Sequence, residues 1–321
     1  MSVAFIFPGQ GSQSVGMLGS IMDENPEYGE MAKVTFHLAS EELGFDLWDI
    51  VKNGPVELLN KTENTQPALL ASEVALWRIW CEKEGTMPVI MAGHSLGEYS
   101  ALVCSEVLDF EETVALVHDR GRFMQNAVPE GEGAMAAILG MADEDVVAVC
   151  KKTSEETGMV VDAVNYNSPG QVVIAGNLQA VEKALENAKD AGAKKALKLP
   201  VSVPSHCSLM KPAAEKLAKK IQLMEFGKPT IPVINNVHVT IESEETIIAD
   251  ALVRQLSNPV RWVETIQKMK SEGIESIVEC GPGKVLTGLN KRIDRELKTY
   301  PIFDVATIDK TLEELSNNDE G

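Results

Sequence analysis

Pro88-Val89-Ile90-Met91-Ala92-Gly93-His94-Ser95-Leu96-Gly97-Glu98-Tyr99-Ser100-Ala101-Leu102-Val103-Cys104 decides how this chain is read. Residues 88–92 predict a short buried strand, and residues 98–104 predict the start of a helix. Between them lies a G-x-S-x-G, Gly93-His94-Ser95-Leu96-Gly97. A strand that turns this sharply into a helix holds its central residue in a strained backbone conformation. Glycines two residues to either side let strand and helix approach closely. Ser95 is thereby expected at the carboxyl end of a sheet, with a helix N-terminus behind it that favours negative charge on an attacked carbonyl. A bare G-x-S-x-G arises by chance in roughly one chain in ten of this length. The flanking strand and helix are what make Ser95 a nucleophile candidate.

Working outward, Val3 to Phe7 is a continuous apolar run, as in a central parallel strand. It ends in the tight loop Pro8-Gly9-Gln10-Gly11-Ser12-Gln13. Residues 27–43 read as a helix stopped by Gly44. Gln66-Pro67 is expected to open another, with proline in the first turn, where its missing N–H costs nothing. Leu69, Leu70, Val74, Trp77 and Trp80 form its apolar face. A further helix follows from about Phe110 to Asn126. Strands alternating with helices predict an α/β parallel sheet.

The rhythm then changes. Residues 134–139 read as a strand, 143–157 as a helix, and 160–166 and 172–175 as two strands around the turn Asn167-Ser168-Pro169-Gly170. Residues 178–191 read as a helix closed by Gly192, and 195–199 as a strand. The order β-α-β-β-α-β is the ferredoxin-like split unit. Residues 131–200 are accordingly expected to form a small domain inserted into a large α/β domain of residues 1–130 and 201–321. That domain gains strands at 231–237 and 276–278, the latter leading to Gly281-Pro282-Gly283. Residues 316–321 are expected to fray.

The 321 residues carry 29 Lys and Arg against 48 Asp and Glu, a net charge of −19. This argues against a nucleic-acid binder, which needs a basic footprint, but leaves room for a local basic patch that steers an acidic partner. Five cysteines (81, 104, 150, 207 and 280) without C-x-x-C or metal-ligand spacing fit reduced thiols in a cytoplasmic protein. Met1 to Phe7 lacks the basic region of a signal peptide, and no run approaches the length of a membrane span.

A serine hydroxyl needs a base to take its proton. Of the five histidines, His37 and His118 fall within helices, His94 points off the other side of the elbow, and His238 follows a strand. His206 sits in the rigid, irregular Pro204-Ser205-His206-Cys207 and is the candidate by elimination. No Asp or Glu stands out as a third member, although a backbone or amide oxygen can also orient an imidazole. Gly9-Gln10-Gly11-Ser12-Gln13 is not a dinucleotide loop, because G-x-G-x-x-G would require glycine where Ser14 stands. It is placed where elbow enzymes often supply an oxyanion N–H. Arg120 is, on the residues alone, either a solvated surface charge or a bidentate clamp for a substrate carboxylate.

Several motifs then coincide: Phe7-Pro8-Gly9-Gln10-Gly11-Ser12-Gln13, Thr65-Gln66-Pro67-Ala68, the elbow extended through Glu98-Tyr99, and Arg120-Gly121-Arg122-Phe123-Met124-Gln125. To these add Asn165-Tyr166-Asn167-Ser168-Pro169-Gly170-Gln171, Val203-Pro204-Ser205-His206 and Asn258-Pro259-Val260-Arg261-Trp262. Together they closely resemble the malonyl-CoA:acyl carrier protein transacylases of bacterial type II fatty acid synthesis, over nearly the whole chain. The resemblance implies a hydrolase-like α/β domain with a ferredoxin-like insert. It implies Ser95 as nucleophile and His206 as general base and acid, with the main-chain carbonyl of Gln255 orienting the histidine. It also implies the N–H groups of Gln10 and Leu96 as the oxyanion hole, and Arg120 as partner of the malonyl carboxylate. Leu96 and Ser205 look like those of malonyl-selective members. Malonyl-CoA is then substrate rather than resident cofactor, no metal is required, and the partner is an acidic, phosphopantetheinylated acyl carrier protein met by a monomer. Lys194, Lys195, Lys198, Lys284, Lys291 and Arg292 are candidates for docking it. Two other classes stand beside this reading. One is a serine thioesterase or esterase, whose triad usually runs Ser, acid, His with the histidine late in the chain. The other is a subunit that keeps the fold but only binds acyl groups.

Overall fold

Alternate residues of the first strand enter different cores in the computed structural model of the chain, which describes residues 2–201 and 203–319. Val3, Phe5 and Phe7 join Met91, Val278 and Cys280 on one face, while Ala4 and Ile6 join Ile90, Ala92 and Ile277 on the other. A strand buried on both faces belongs in a parallel sheet covered by helices on both sides. Nine strands occur among the described residues: β1 (Val3–Phe7), β2 (Ile90–Gly93), β3 (Gly133–Leu139), β4 (Val161–Ser168), β5 (Gln171–Asn177), β6 (Lys195–Lys198), β7 (Val233–Ile234), β8 (Ser276–Cys280) and β9 (Lys298–Ile302). One sheet has the order β7-β2-β1-β8-β9, every pair parallel. Phe5 anchors its larger core, with its ring edge-on to Trp77 and Trp80 at 5.3 Å each.

The second sheet has the order β4-β5-β3-β6 and is antiparallel throughout, the arrangement of a ferredoxin-like unit. Helices Asp143–Thr157 and Leu178–Asp190 cover one of its faces through Val146, Val149, Val181 and Ala184. Its other face, with Met135, Val164, Val173 and Ala175, packs on Cys207. The fold class is therefore α/β, a parallel-sheet core with a ferredoxin-like antiparallel sheet.

Several elements differ from the sequence expectation. The helix expected to open at Gln66-Pro67 spans Thr62–Glu82, with Pro67 inside it. A proline there deprives the carbonyl four residues earlier of its N–H partner. That carbonyl, of Glu63, instead accepts from His118 Nδ1 at 2.9 Å. β7 has two residues rather than seven. Asn235 ends it by donating from Nδ2 to the Thr240 carbonyl and accepting the His238 N–H, which closes a loop. β9 was not anticipated, because it is a half-exposed edge strand containing Pro301. The helix Val305–Asp319 takes in residues 316–319 of the expected tail, and Glu320 and Gly321 lie outside the described residues. No helix among the described residues is long and apolar enough to cross a membrane.

Candidate active site

β1 and β2 are paired with Phe7 opposite Gly93, so the loop after β1 and the turn after β2 leave the same end of the sheet side by side. Between β2 and the helix Gly97–Cys104, Ser95 has φ 54°, a left-handed conformation that costs a serine on the order of 1 kcal/mol. The two glycines make the turn sterically feasible. A Cβ at Gly93 would stand 1.8 Å from the Gly97 carbonyl carbon, and one at Gly97 would stand 2.1 Å from the Phe7 oxygen. Side chains from elsewhere pin the strained backbone. The Ser95 N–H donates to Asn236 Oδ1 (2.8 Å), Asn236 Nδ2 donates to the Gly93 carbonyl (2.6 Å), and Gln255 Nε2 donates to the Ser95 carbonyl (3.0 Å).

His206 Nε2 lies 2.7 Å from Ser95 Oγ. Its own φ of 65°, after Pro204, turns the ring toward the elbow. Its Nδ1 lies 2.8 Å from the Gln255 carbonyl oxygen. A carbonyl only accepts, so Nδ1 carries the proton and Nε2 presents its lone pair to the serine hydroxyl. Gln255 ends the helix Glu245–Gln255, where carbonyls have no partner in the next turn, which leaves this one free for the histidine. His206 is 3% exposed, and burial, then the neighbouring Arg120 charge, push its pKa down to about 3. The resting imidazole is neutral.

Arg120 is not a surface charge. It is 1% exposed on the helix Phe110–Gln125. Nη1 donates to Gln66 Oε1 (2.7 Å), and Nη2 donates to Gln255 Oε1 (2.9 Å) and, weakly, to Ser95 Oγ (3.4 Å). The guanidinium carbon lies 5.2 Å from the centre of the Tyr99 ring. None of these hydrogen-bond partners is a carboxylate, and the buried Nε has no acceptor. A desolvated cation with no carboxylate bonded to it is costly, and this one sits beside the Ser95 hydroxyl.

Gln10 lies in the loop after β1, and Leu96 directly precedes the elbow helix. Among the described residues neither N–H is given to a protein acceptor. The β1 loop runs close against the elbow, since a Cβ on Gly9 would meet the His94 oxygen at 2.4 Å. His94 turns away from the serine. Its Nε2 is 2.9 Å from Asn167 Oδ1 of β4, and its ring packs on Trp262. Cys207 packs against the bare face of the small sheet, with its thiol donating to the Pro204 carbonyl and pushed up to about 12 by burial. Among the described residues no group of three or more His, Cys, Asp or Glu is placed to hold a metal ion.

The sequence reading assigned nothing to Asn236, and saw Glu98 and Gln66 only as parts of motifs. Glu98 Oε2 accepts from the Asn236 N–H (2.9 Å) and from Gln255 Nε2 (2.8 Å). Burial raises its carboxyl to about 7. A cavity of about 620 Å³ opens on one side of His206, between Cys150, Asp162, Tyr166 and Ser257. Neither Ser95 nor Arg120 lines it, so the hydrogen-bonded cluster, not the cavity, defines the site.

Residues 4–306 match the acyl transferase domain family. The chain is 54% identical over 309 residues to the malonyl CoA-acyl carrier protein transacylase of Salmonella typhimurium, covering 96% of this chain and 98% of that protein. It is similar to the crystal structure of an acyl carrier protein S-malonyltransferase from Vibrio cholerae, with a TM-score of 0.93 and 54% identity over 97% of this chain and 99% of that one. It is also similar to a malonyl-transacylase in complex with its type II polyketide synthase acyl-carrier protein, with a TM-score of 0.95 and 53% identity over 98% of this chain and 100% of that one.

Proposed function

The chain belongs to the malonyl CoA-acyl carrier protein transacylases of the acyl transferase domain family, and from that premise we propose that it moves malonyl from coenzyme A to an acyl carrier protein through a malonyl-serine ester. The observation that carries the reading is a buried guanidinium with no carboxylate among its hydrogen-bond partners, 3.4 Å from a serine hydroxyl that is itself 2.7 Å from a neutral imidazole.

His206 Nε2 takes the Ser95 proton as Oγ attacks the thioester carbonyl. The free N–H groups of Gln10 and Leu96 receive the oxyanion. Collapse expels the coenzyme A thiol with the proton returned by His206 and leaves malonyl on Ser95. The carrier's phosphopantetheine thiol then gives its proton to His206 and attacks the ester, and collapse releases the Ser95 oxygen with that proton returned by His206. Malonyl carboxylate paired with Arg120 removes part of the positive field on His206. The group that is recognised thereby also makes the base stronger. Burial of Arg120 and His206 disfavours attack by water. Malonyl-CoA is substrate, and no resident cofactor enters.

The large domain (residues 1–130 and 201–321) and the small domain (131–200) form part of this reading, as do a monomeric state and a cytoplasmic location. For an acidic carrier, the exposed end of the small sheet offers positive charge. Lys194 and Lys195 lie there, beside Leu139 and opposite the β4–β5 turn. Arg292 reaches the same end by donating to Gln171 Oε1, with Lys291 next to it, while Lys284 precedes their helix. Lys198, at the far end of β6, is paired with Glu182 at 3.1 Å.

Intact-protein mass spectrometry after brief mixing with malonyl-CoA, followed by a chase with holo carrier protein, tests the reading. Wild type should gain a malonyl adduct that passes to the carrier, and Ser95→Ala should gain none. An adduct that decays equally fast without carrier would establish a thioesterase, and no adduct at all would leave a binding subunit.

A further inference from the structure

Among the described residues no acid is hydrogen-bonded to His206, yet a buried carboxyl stands one residue beyond its partner Gln255. Glu98, in the first turn of the elbow helix, is 2% exposed, and its Oε2 holds Gln255 Nε2. Gln255 is the residue on which the site converges. Its main-chain oxygen accepts the His206 Nδ1–H, its Nε2 also donates to the Ser95 carbonyl, and its Oε1 accepts an N–H of Arg120. A side-chain amide can face either way, and what meets its nitrogen decides which. With a carboxyl oxygen and the Ser95 carbonyl at Nε2, only Oε1 can turn toward the guanidinium. The reversed amide would set N–H against N–H and oxygen against oxygen.

We propose that Glu98 is a positioning residue: by fixing the orientation of the Gln255 amide it sets Arg120 in place to receive the acyl carboxylate. The same oxygen holds the Asn236 N–H, so the residue pinning the elbow is tied to the same point. The Gln255 carbonyl is held by its helix as well. The larger consequence of losing Glu98 therefore falls on Arg120, and so on choice of acyl group, rather than on the proton transfer common to all acyl groups. The proposal rests on the malonyl-transfer reading above.

The test is a double-mutant cycle read as the ratio of kcat/KM for malonyl-CoA to that for acetyl-CoA. Glu98→Leu and Gln255→Leu, which keeps the main-chain carbonyl, should each lower the ratio about 10-fold or more, the scale of a hydrogen bond to a charged group. The double variant should lower it no further than Gln255→Leu alone. Glu98→Gln keeps an acceptor oxygen and should restore most of the ratio, whereas Glu98→Met fills the same space without an acceptor and should not, a difference that a purely packing role would not predict. If Glu98→Leu does not fold, Glu98→Ala takes its place in the cycle. An unchanged ratio in the Glu98 variant, or additive effects in the double variant, overturns the positioning role while malonyl transfer by wild type stands. Absence of malonyl transfer by wild type overturns both.

Discussion

Replacing Arg120 with methionine removes the charge while keeping most of the side chain's length. In the resting site the guanidinium hydrogen-bonds amide and hydroxyl oxygens but no carboxylate, so on the proposed reading the malonyl carboxylate is the first to pair with it directly. Truncating one side of a buried, hydrogen-bonded charge pair costs about 2–5 kcal/mol. That is roughly 30- to 5,000-fold in kcat/KM for malonyl-CoA. Acetyl-CoA has no carboxylate and no pair to lose. Arg120 is also the second cause, after burial, of the low basicity of His206, so removing it makes the base stronger. The kcat/KM for acetyl-CoA should therefore hold or rise. The assay is formation of acyl-serine from each substrate and its transfer to holo carrier protein, with Tm measured alongside. Malonyl and acetyl transfer falling by the same factor would refute the reasoning and make Arg120 a fold-holding residue.

Gly93→Ala puts a methyl 1.8 Å from the Gly97 backbone and should cost about 3 kcal/mol, seen as a lower denaturation midpoint, and abolish acyl-serine formation. Gly288→Ala, in a helix with nothing within 4 Å of the new methyl, should instead stabilise by about 0.5–1 kcal/mol. Burial raises Glu98 from 4.5 to about 7, so the native protein keeps a proton that the unfolded chain releases across that range. Wild type then loses up to about 3 kcal/mol as pH rises through the window, and Glu98→Gln does not. The Tm of the variant minus that of wild type should therefore climb between roughly pH 5 and pH 8, and a flat difference would contradict the assignment. Lys195→Glu combined with Arg292→Glu should raise the KM for carrier protein, with the effect shrinking in high salt; an unchanged KM removes this face from docking.

The elbow was legible because it depends on contacts within a few residues. Strand, turn and helix follow one another along the chain, and the clash at Gly93 is with Gly97. The βαββαβ order was legible for the same reason, since each element carries its own periodicity and turn. The start of the helix around Pro67 was not, because the carbonyl that the proline orphans is rescued by His118, 55 residues away from Glu63. Nor did the residues by themselves separate a solvated Arg120 from a buried one, and the resemblance alone favoured the clamp.

By itself, then, the sequence determined the alternation of strands and helices, the sharp strand-to-helix turn that carries Ser95 and the short set of histidines from which to choose, all consequences of local sterics and period. Only the tertiary structure decided which tautomer His206 holds, that Arg120 is buried with no carboxylate bonded to it, and that Glu98, Asn236 and Gln255 meet at the elbow. These depend on hydrogen-bond geometry and loss of water, which groups from distant parts of the chain create only when packed together.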